Sequence, residues 1–418
     1  MNPPLDRSRR ALGLIVLLPL SACSHDDVEA NGAVPRAGQP IHDKEIESYR
    51  LDLLDTAFAA ASAMPLDPHV KNRGRAQDEV VSACFALGLP ERALGYADRI
   101  VDWRRGTTYA EYAILCAEKG LSEEAEDYLA RAESVAAETH RDPNQQEWRS
   151  DRIRAGIARA RYLLGQTEAA AKIETALEPG QRGEVEATKA SLTGADRFDA
   201  QLEAVDAVFD GRDLDQSKAA FDALLTLFDR CFDDQARRAQ VESRLRSGFP
   251  RYPLGMRLEL LLKAGDVALA HGDHAKATDL ADAARSVMDL GQWLAEQRIP
   301  LMARVSALCA RAGDREHATK EIDAALALFD SERAKIVDIR RASALRPVAE
   351  ACIDISDLVR AAKVYGMALD EGSVNPNARP RADDLVATCC SMALRGFQPD
   401  AALLGRISAI RTKLVDPW

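Results

Sequence analysis

The chain has 418 residues, enough for two ordinary domains or one elongated repeat array. A hydrophobic content of 47% excludes a disordered protein, and 5% aromatics with abundant alanine suits packed helices better than a β-sandwich. A formal net charge of -11 makes a nucleic-acid partner unfavourable, because an acidic body repels phosphate backbones and anionic membrane surfaces alike.

Arg7, Arg9 and Arg10 form a basic start, followed by a 12-residue apolar run from Ala11 to Ala22 that contains Pro19. A bilayer span needs roughly 20 apolar residues, so this run is too short to cross. Its size and flanking charge fit a signal peptide over residues 1–22. The run ends in Leu20-Ser21-Ala22-Cys23, which resembles the lipobox of bacterial lipoproteins. That resemblance implies a diacylglyceryl thioether on Cys23, cleavage before it and acylation of the new amino terminus. One acyl chain binds a membrane marginally, whereas several hold a protein there. In lipoproteins of Gram-negative bacteria Ser24, rather than Asp, implies sorting to the outer membrane, and so a place on its periplasmic face. Residues 1–22 carry a net +2, leaving -13 on the mature part. Residues 24–43 lack helical periodicity, so the stretch 23–44 reads as a flexible tether.

From Glu45 onward helical patterns alternate with short turns, and no convincing strand occurs. A spaced signature recurs: Gly, Ala five residues later, then apolar or small residues four and seven beyond. The copies are Gly88, Ala93, Ala97, Ile100; Gly120, Ala125, Leu129, Ala132; and Gly165, Ala170, Glu174, Leu177. Further on stand Gly272, Ala277, Ala281, Ala284; Gly313, Ala318, Ile322, Ala325; Ser356, Ala361, Tyr365, Ala368; and a worn Gly396, Ala401. Gly suits the left-handed residue that ends a helix, and the Ala-sized positions let the next helix cross closely. A further unit is centred on Ala220, Leu224 and Leu227, and the run from Phe249 to Gly255 interrupts the pattern. The expected organisation is therefore a helical-repeat array over 45–230, an irregular joint over 231–257 and a second array over 258–418.

The signature resembles the second half of the tetratricopeptide repeat, and Leu261, Ala264-Gly265 and Ala268 match its first helix. Adjacent anchors are 32, 45, 41, 43 and 40 residues apart rather than the family's 34, so the units are tetratricopeptide-like (TPR-like). The resemblance implies an all-α fold, an α-solenoid of antiparallel helical hairpins stacked into an open superhelix. Transferred residue by residue, the family's register gives a binding groove lined by Arg75, Asp78 and Phe85; Arg152, Arg159 and Tyr162; Glu259, Asp266 and Leu269; and Arg346, Glu350 and Ile353. Mixed charge with a few aromatics suits a protein or peptide partner.

Cys84, Cys116, Cys309 and Cys352 each precede an anchor by four residues, on one inward slot of the first helix. Equivalent slots lie about a helix spacing apart, roughly 8–10 Å, too far for a disulfide. Free buried thiols are expected there, with Cys389 and Cys390 adjacent and Cys231 unpartnered. His271 and His274 flank Asp273, but no further ligand is spaced nearby, so an exposed polar turn is preferred to a metal site. Asp206, Asp210, Asp213 and Asp215 miss the calcium-loop pattern because Val208 occupies a ligand position. Arg237, Arg238, Arg244, Arg246, Arg251 and Arg257 offer either a docking patch for an acidic partner or phospholipid, or a salt-bridged solvated helix; the second is preferred. No HExxH, CxxC, P-loop or GxSxG motif occurs, so neither an enzyme, a cofactor nor a metal is expected. The chain reads as a lipid-anchored envelope adaptor or scaffold for a partner protein or peptide; the alternatives are an immunity lipoprotein that neutralises a periplasmic toxin and, from a different class, an envelope enzyme with an unrecognised site.

Overall fold

The computed structural model describes residues 41–192, 198–210 and 214–418. The signal segment, Cys23 and the tether up to residue 40 lie outside the described residues, as do Gly211 and Asp213. By internal packing the chain divides into residues 1–31 and 32–418, and every described residue belongs to the second unit.

The described residues are all-α, with nineteen α-helices and no strand. The first seven are α1 (Ser48–Ala63), α2 (Val70–Ala86), α3 (Pro90–Ala97), α4 (Arg104–Glu118), α5 (Ser122–Arg141), α6 (Glu147–Leu163) and α7 (Thr167–Ala176). Then come α8 (Gly183–Leu192), α9 (Phe198–Asp210), α10 (Leu214–Arg230), α11 (Gln235–Gly248), α12 (Leu254–Ala270) and α13 (His274–Asp289). The last are α14 (Ala295–Arg311), α15 (Arg315–Glu332), α16 (Asp338–Asp354), α17 (Leu358–Gly372), α18 (Ala378–Leu394) and α19 (Ala401–Thr412). The segment expected to be an irregular joint is largely helical: α11 fills its middle, and the break is confined to a 3₁₀ turn at Phe249–Arg251.

The anchor residues explain the hairpins. Gly88, Gly120, Gly165, Gly272, Gly313, Ser356 and Gly396 all have φ between 60° and 96°, and among the described residues no others have positive φ. In each case the next residue's N–H donates back across the turn, as in Leu89 to the Cys84 carbonyl at 2.9 Å and Asp357 to the Cys352 carbonyl at 2.8 Å. This is a Schellman closure, and it satisfies carbonyls the helix end would leave unpaired. The alanines five residues beyond (Ala93, Ala125, Ala170, Ala277, Ala318 and Ala361) are completely buried. The final copy differs. Its helix is capped by Asp400, four residues after Gly396, so Ala401 is exposed and Leu403 and Ile407 turn inward instead.

The even-numbered helices from α2 to α18 each pack against the next even helix, while most odd helices cover the even helix before them. Paired charges show that neighbouring even helices run parallel: Glu259 and Asp266 of α12 meet Arg304 and Arg311 of α14 with the same offset. The succession does not stay open. Helix α18 lies against both α1 and α2. There Arg50 donates to the Ala393 carbonyl at 2.7 Å and Tyr49 to the Gly396 carbonyl at 2.8 Å. One apolar core accordingly runs from Leu53–Ile100 into Phe198–Leu414, joining parts of both expected arrays.

The body has two unlike rims. Turns leaving the even helices form the turn rim, where Asp273, Asp314, Asp357 and Asp400 accept N–H bonds from the first turns of α13, α15, α17 and α19. Each such cap stabilises by about 1 kcal/mol. Loops entering the even helices form the loop rim, where Trp103, Gln146, Leu294, Val337 and Asn377 occupy N-cap positions without a side-chain cap bond. The loop rim also carries exposed Leu66, Val101, Leu290, Leu294, Val337, Ile339, Val374 and Val415, eight of the twelve large apolar residues exposed among the described residues. Arginines brace it from below. Arg257, Arg341 and Arg381 each reach back five residues to the Tyr252, Ile336 and Pro376 carbonyls, at 2.8, 2.9 and 2.9 Å.

The last residues of the expected tether belong to the folded body. Ile41 is buried beside Tyr112, Cys116 and Ala125. Lys44 donates its N–H to the Gly88 carbonyl at 2.8 Å, and Asp43 accepts from the Glu91 N–H at 2.7 Å, capping α3 from outside its own chain segment. The described part of the body thus begins with Ile41, on the turn rim.

Candidate functional site

The charged residues assigned to the groove form a ladder between successive even helices. Arg75 of α2 pairs with Asp383 of α18 at 3.2 Å, and Asp78 of α2 with Arg104 of α4 at 3.8 Å. Arg152 and Arg159 of α6 both hold Glu184 of α8, at 3.3 and 2.8 Å. Glu259 and Asp266 of α12 pair with Arg304 and Arg311 of α14, at 2.8 and 2.7 Å. Arg346 of α16 meets Asp384 of α18 at 2.8 Å, and Glu350 accepts from Ser391 at 2.6 Å. A separate ladder joins odd helices through Arg285–Glu321, Arg360–Asp323 and Arg406–Asp370.

Four of the proposed positions sit otherwise. Tyr162 is buried beneath α7, its hydroxyl donating to Glu174, because α7 folds over the last turn of α6. Phe85, Leu269 and Ile353 are partly buried and packed on the core near the ends of their helices, so burial of apolar surface decides their direction. Cys23 lies outside the described residues.

The ladder shifts the acidity of its carboxyls. Asp78 is pushed up to about 7, chiefly by crowding that strips water from the carboxylate and then by Glu111 and Asp102, against the pull of Arg104 and Arg152. Its side chain keeps 36% of its surface accessible, so the site is deep but wet. Glu79, Glu111, Glu350, Asp354, Asp383 and Asp384 are also raised, desolvation leading in every case and arginine opposing it. Such a surface can offer hydrogen bonds and charge of either sign. Among the described residues no group of three or more His, Cys, Asp and Glu has the arrangement to hold a metal ion.

Sequence reasoning missed Asp383, Arg104, Glu184, Arg304, Arg311 and Asp384, the other halves of the ladder, and the whole Asp354–Arg395 rung. A signal existed: Glu259 and Asp266 are seven apart, as are Arg304 and Arg311, and both pairs are separated by 45 residues. Seven residues is two helical turns, so such pairs stand on one face.

Cys84, Cys116, Cys309, Cys352, Cys389 and Cys390 are free and buried, and Cys231 is free and half-buried. Burial raises the Cys84, Cys116 and Cys352 thiols to about 12. His271 stacks on Phe232 and meets Asp229 at 2.9 Å. Of the basic stretch, Arg237 pairs with Asp234, Arg238 and Arg246 with Glu242, and Arg244 with Asp206. Of the acidic group, the Asp210 and Asp215 side chains fall outside the description, as does that of Arg251. Cavities occur between α5, α6 and α7, floored by Ala136, Ala137, Ile157 and Ile173, and between α17, α18 and α19, beside Arg381 and Arg406. Neither contains a groove residue. No helix among the described residues is long and apolar enough to cross a membrane.

Comparison with protein-family models and with curated proteins finds no match. Among solved structures, the crystal structure of Ton1535 from Thermococcus onnurineus NA1 aligns with 81% of this chain and 98% of that one, at 15% identity and a TM-score of 0.21. A superposition this poor supports no inference about fold or function.

Proposed function

We propose that the protein is a lipid-anchored adaptor of the bacterial envelope, its body a stack of tetratricopeptide-like hairpins whose even helices hold a peptide segment of a partner protein. In this reading Cys23 carries the lipid, residues 24–40 set the reach, and the anchor lies on the periplasmic face of the outer membrane. The observation that carries the binding part is the ladder itself. Arg152 and Arg159 of α6, Glu259 and Asp266 of α12, and Arg304 and Arg311 of α14 all take part in ion pairs between neighbouring even helices, and the α12–α14 pairs keep 39–45% of their side-chain surface accessible. Exposed ion pairs contribute little to stability, so they can be exchanged for contacts with a charged ligand at small cost. The chain is proposed to bind rather than to catalyse.

Photo-crosslinking residues at Arg152, Glu259 and Arg304, with Lys320 on α15 as a control, test this in the native host. Adducts with one partner from the three ladder positions and none from the control support the reading. The same adducts at all four positions sink it. The anchor is checked separately by the mass of the amino-terminal peptide and by whether Cys23→Ser releases the protein from membranes.

A further inference from the structure

The four tryptophans of the chain are Trp103, Trp148, Trp293 and Trp418, and all four lie on the loop rim. Trp103 precedes α4, Trp148 is the second residue of α6, and Trp293 stands in the loop before α14. Trp418 follows α19, beside the start of α18, where the Ala378 N–H donates to the Pro417 carbonyl at 2.7 Å. Each is partly exposed. Tryptophan combines an apolar body with a polar edge and favours surfaces that are greasy on one side and wet on the other. Eight of the twelve large aliphatic side chains exposed among the described residues share this rim, Leu290 at 70% and Val415 at 60%, whereas Leu358, Val359 and Leu404 stand at the starts of α17 and α19 on the turn rim.

We infer that the loop rim rests on a phospholipid bilayer, the tryptophans and single aliphatic residues entering the headgroup region. Parallel even helices bring their starting ends to one level, so these side chains project from one end of the body. They are spread about one or two to a loop, from α14 through α16, α18 and α2 to α4. A protein interface is built around a compact desolvated centre, whereas a bilayer accepts scattered apolar points at one depth. Charge does not oppose the contact. Exposed Lys71, Arg99, Lys335, Arg340 and Lys413 stand on this rim with Asp67, Asp98, Glu147, Asp289 and Asp416, so its charge is balanced, while the capping aspartates gather on the opposite one. The acidity of the whole chain thus misrepresents the rim.

The inference rests on the proposal that Cys23 is lipidated, which keeps the body beside a membrane. Ile41 emerges on the turn rim. The 17 residues of α14 make a helix about 25 Å long. The 17 residues between Cys23 and Ile41 can span up to roughly 60 Å. That reach exceeds the length of α14, so an anchor at Cys23 is compatible with a loop rim that faces the lipid. A much shorter tether would hold the turn rim there instead.

The test uses the lipidated full chain in vesicles of phosphatidylethanolamine and phosphatidylglycerol doped with bromine-labelled phosphatidylcholine, a quencher of tryptophan emission. Quenching is expected. The variant Val101→Ser/Leu294→Ser/Val337→Ser/Val374→Ser is expected to lose most of it, with unchanged helical circular dichroism and unchanged Cys23 acylation. Unquenched emission from a chain whose Cys23 is shown by mass spectrometry to carry lipid overturns the docking and leaves the anchor standing. If Cys23 is unmodified, the anchor proposal falls, and quenching of the unlipidated chain on added vesicles decides docking alone. Absent quenching together with a protein adduct at the loop rim assigns the surface to a protein partner.

Discussion

Two stretches of the charge ladder use the same residue types to different ends. Between α12 and α14, Glu259–Arg304 and Asp266–Arg311 are about two-fifths accessible. Where α16 meets α18, Arg346 and Asp384 are 15% and 13% accessible, and Glu350, Ser391 and Tyr365 form a connected hydrogen-bonded run. Arg395 closes on Asp354 beside them. The first stretch is hydrated and replaceable. The second lies next to the seam where α18 receives α1 and α2, and its groups cannot be lost singly without stranding a charge. The lesson is that a periodic charge pattern does not itself distinguish a binding surface from a joint; local water access does.

The largest expected effect is at the seam. Arg346→Met leaves Asp384 without its cation, and about 3 kcal/mol of stability should disappear in denaturant titration. A loss below about 1 kcal/mol would place the seam in the same class as exposed pairs. Thiol labelling comes next: in native protein Cys231 should react first and Cys389 and Cys390 only on unfolding, since both are buried. Fast labelling of the adjacent pair would mean that the seam opens readily. Asp78 falls between the two stretches. Its folded-state acidity near 7 lies above the ordinary carboxyl value, so folding takes up a proton between about pH 4 and pH 7. The stabilisation it contributes is complete below about pH 4 and is lost as pH rises through 7. Asp78→Asn should flatten that decline in Tm; an unchanged pH profile would move the titration elsewhere. The smallest effect belongs to Arg304→Met, at no more than about 0.5 kcal/mol.

What the sequence made legible was local. Helix-ending positions such as Gly88 and Gly313, and crossing alanines such as Ala277 and Ala318, follow from chemistry within one hairpin. Ser356 kept its place in the pattern although a non-glycine there costs about 1–2 kcal/mol. The repeat register also found half of each ladder rung at Glu259, Asp266 and Arg346. It misjudged Tyr162 because α7, a neighbouring element, covers the end of α6. It could not reveal that Tyr49 meets Gly396, 347 residues away, since no periodicity encodes a contact between the ends of an array. Nor could it show Ile41–Lys44 as part of the body, because a single buried isoleucine and one capping aspartate make no pattern.

The meeting of α18 with α1 and α2 changes how the protein can come apart. In an open array each repeat leans only on its neighbours, and terminal units fray or can be trimmed one at a time. Here removing α1 uncovers α18 and removing α18 uncovers α1 and α2, so truncations that reach these helices from opposite ends should do similar damage. The closing contact also spans almost the entire described chain, which makes it the costliest loop to form and the natural last event in folding.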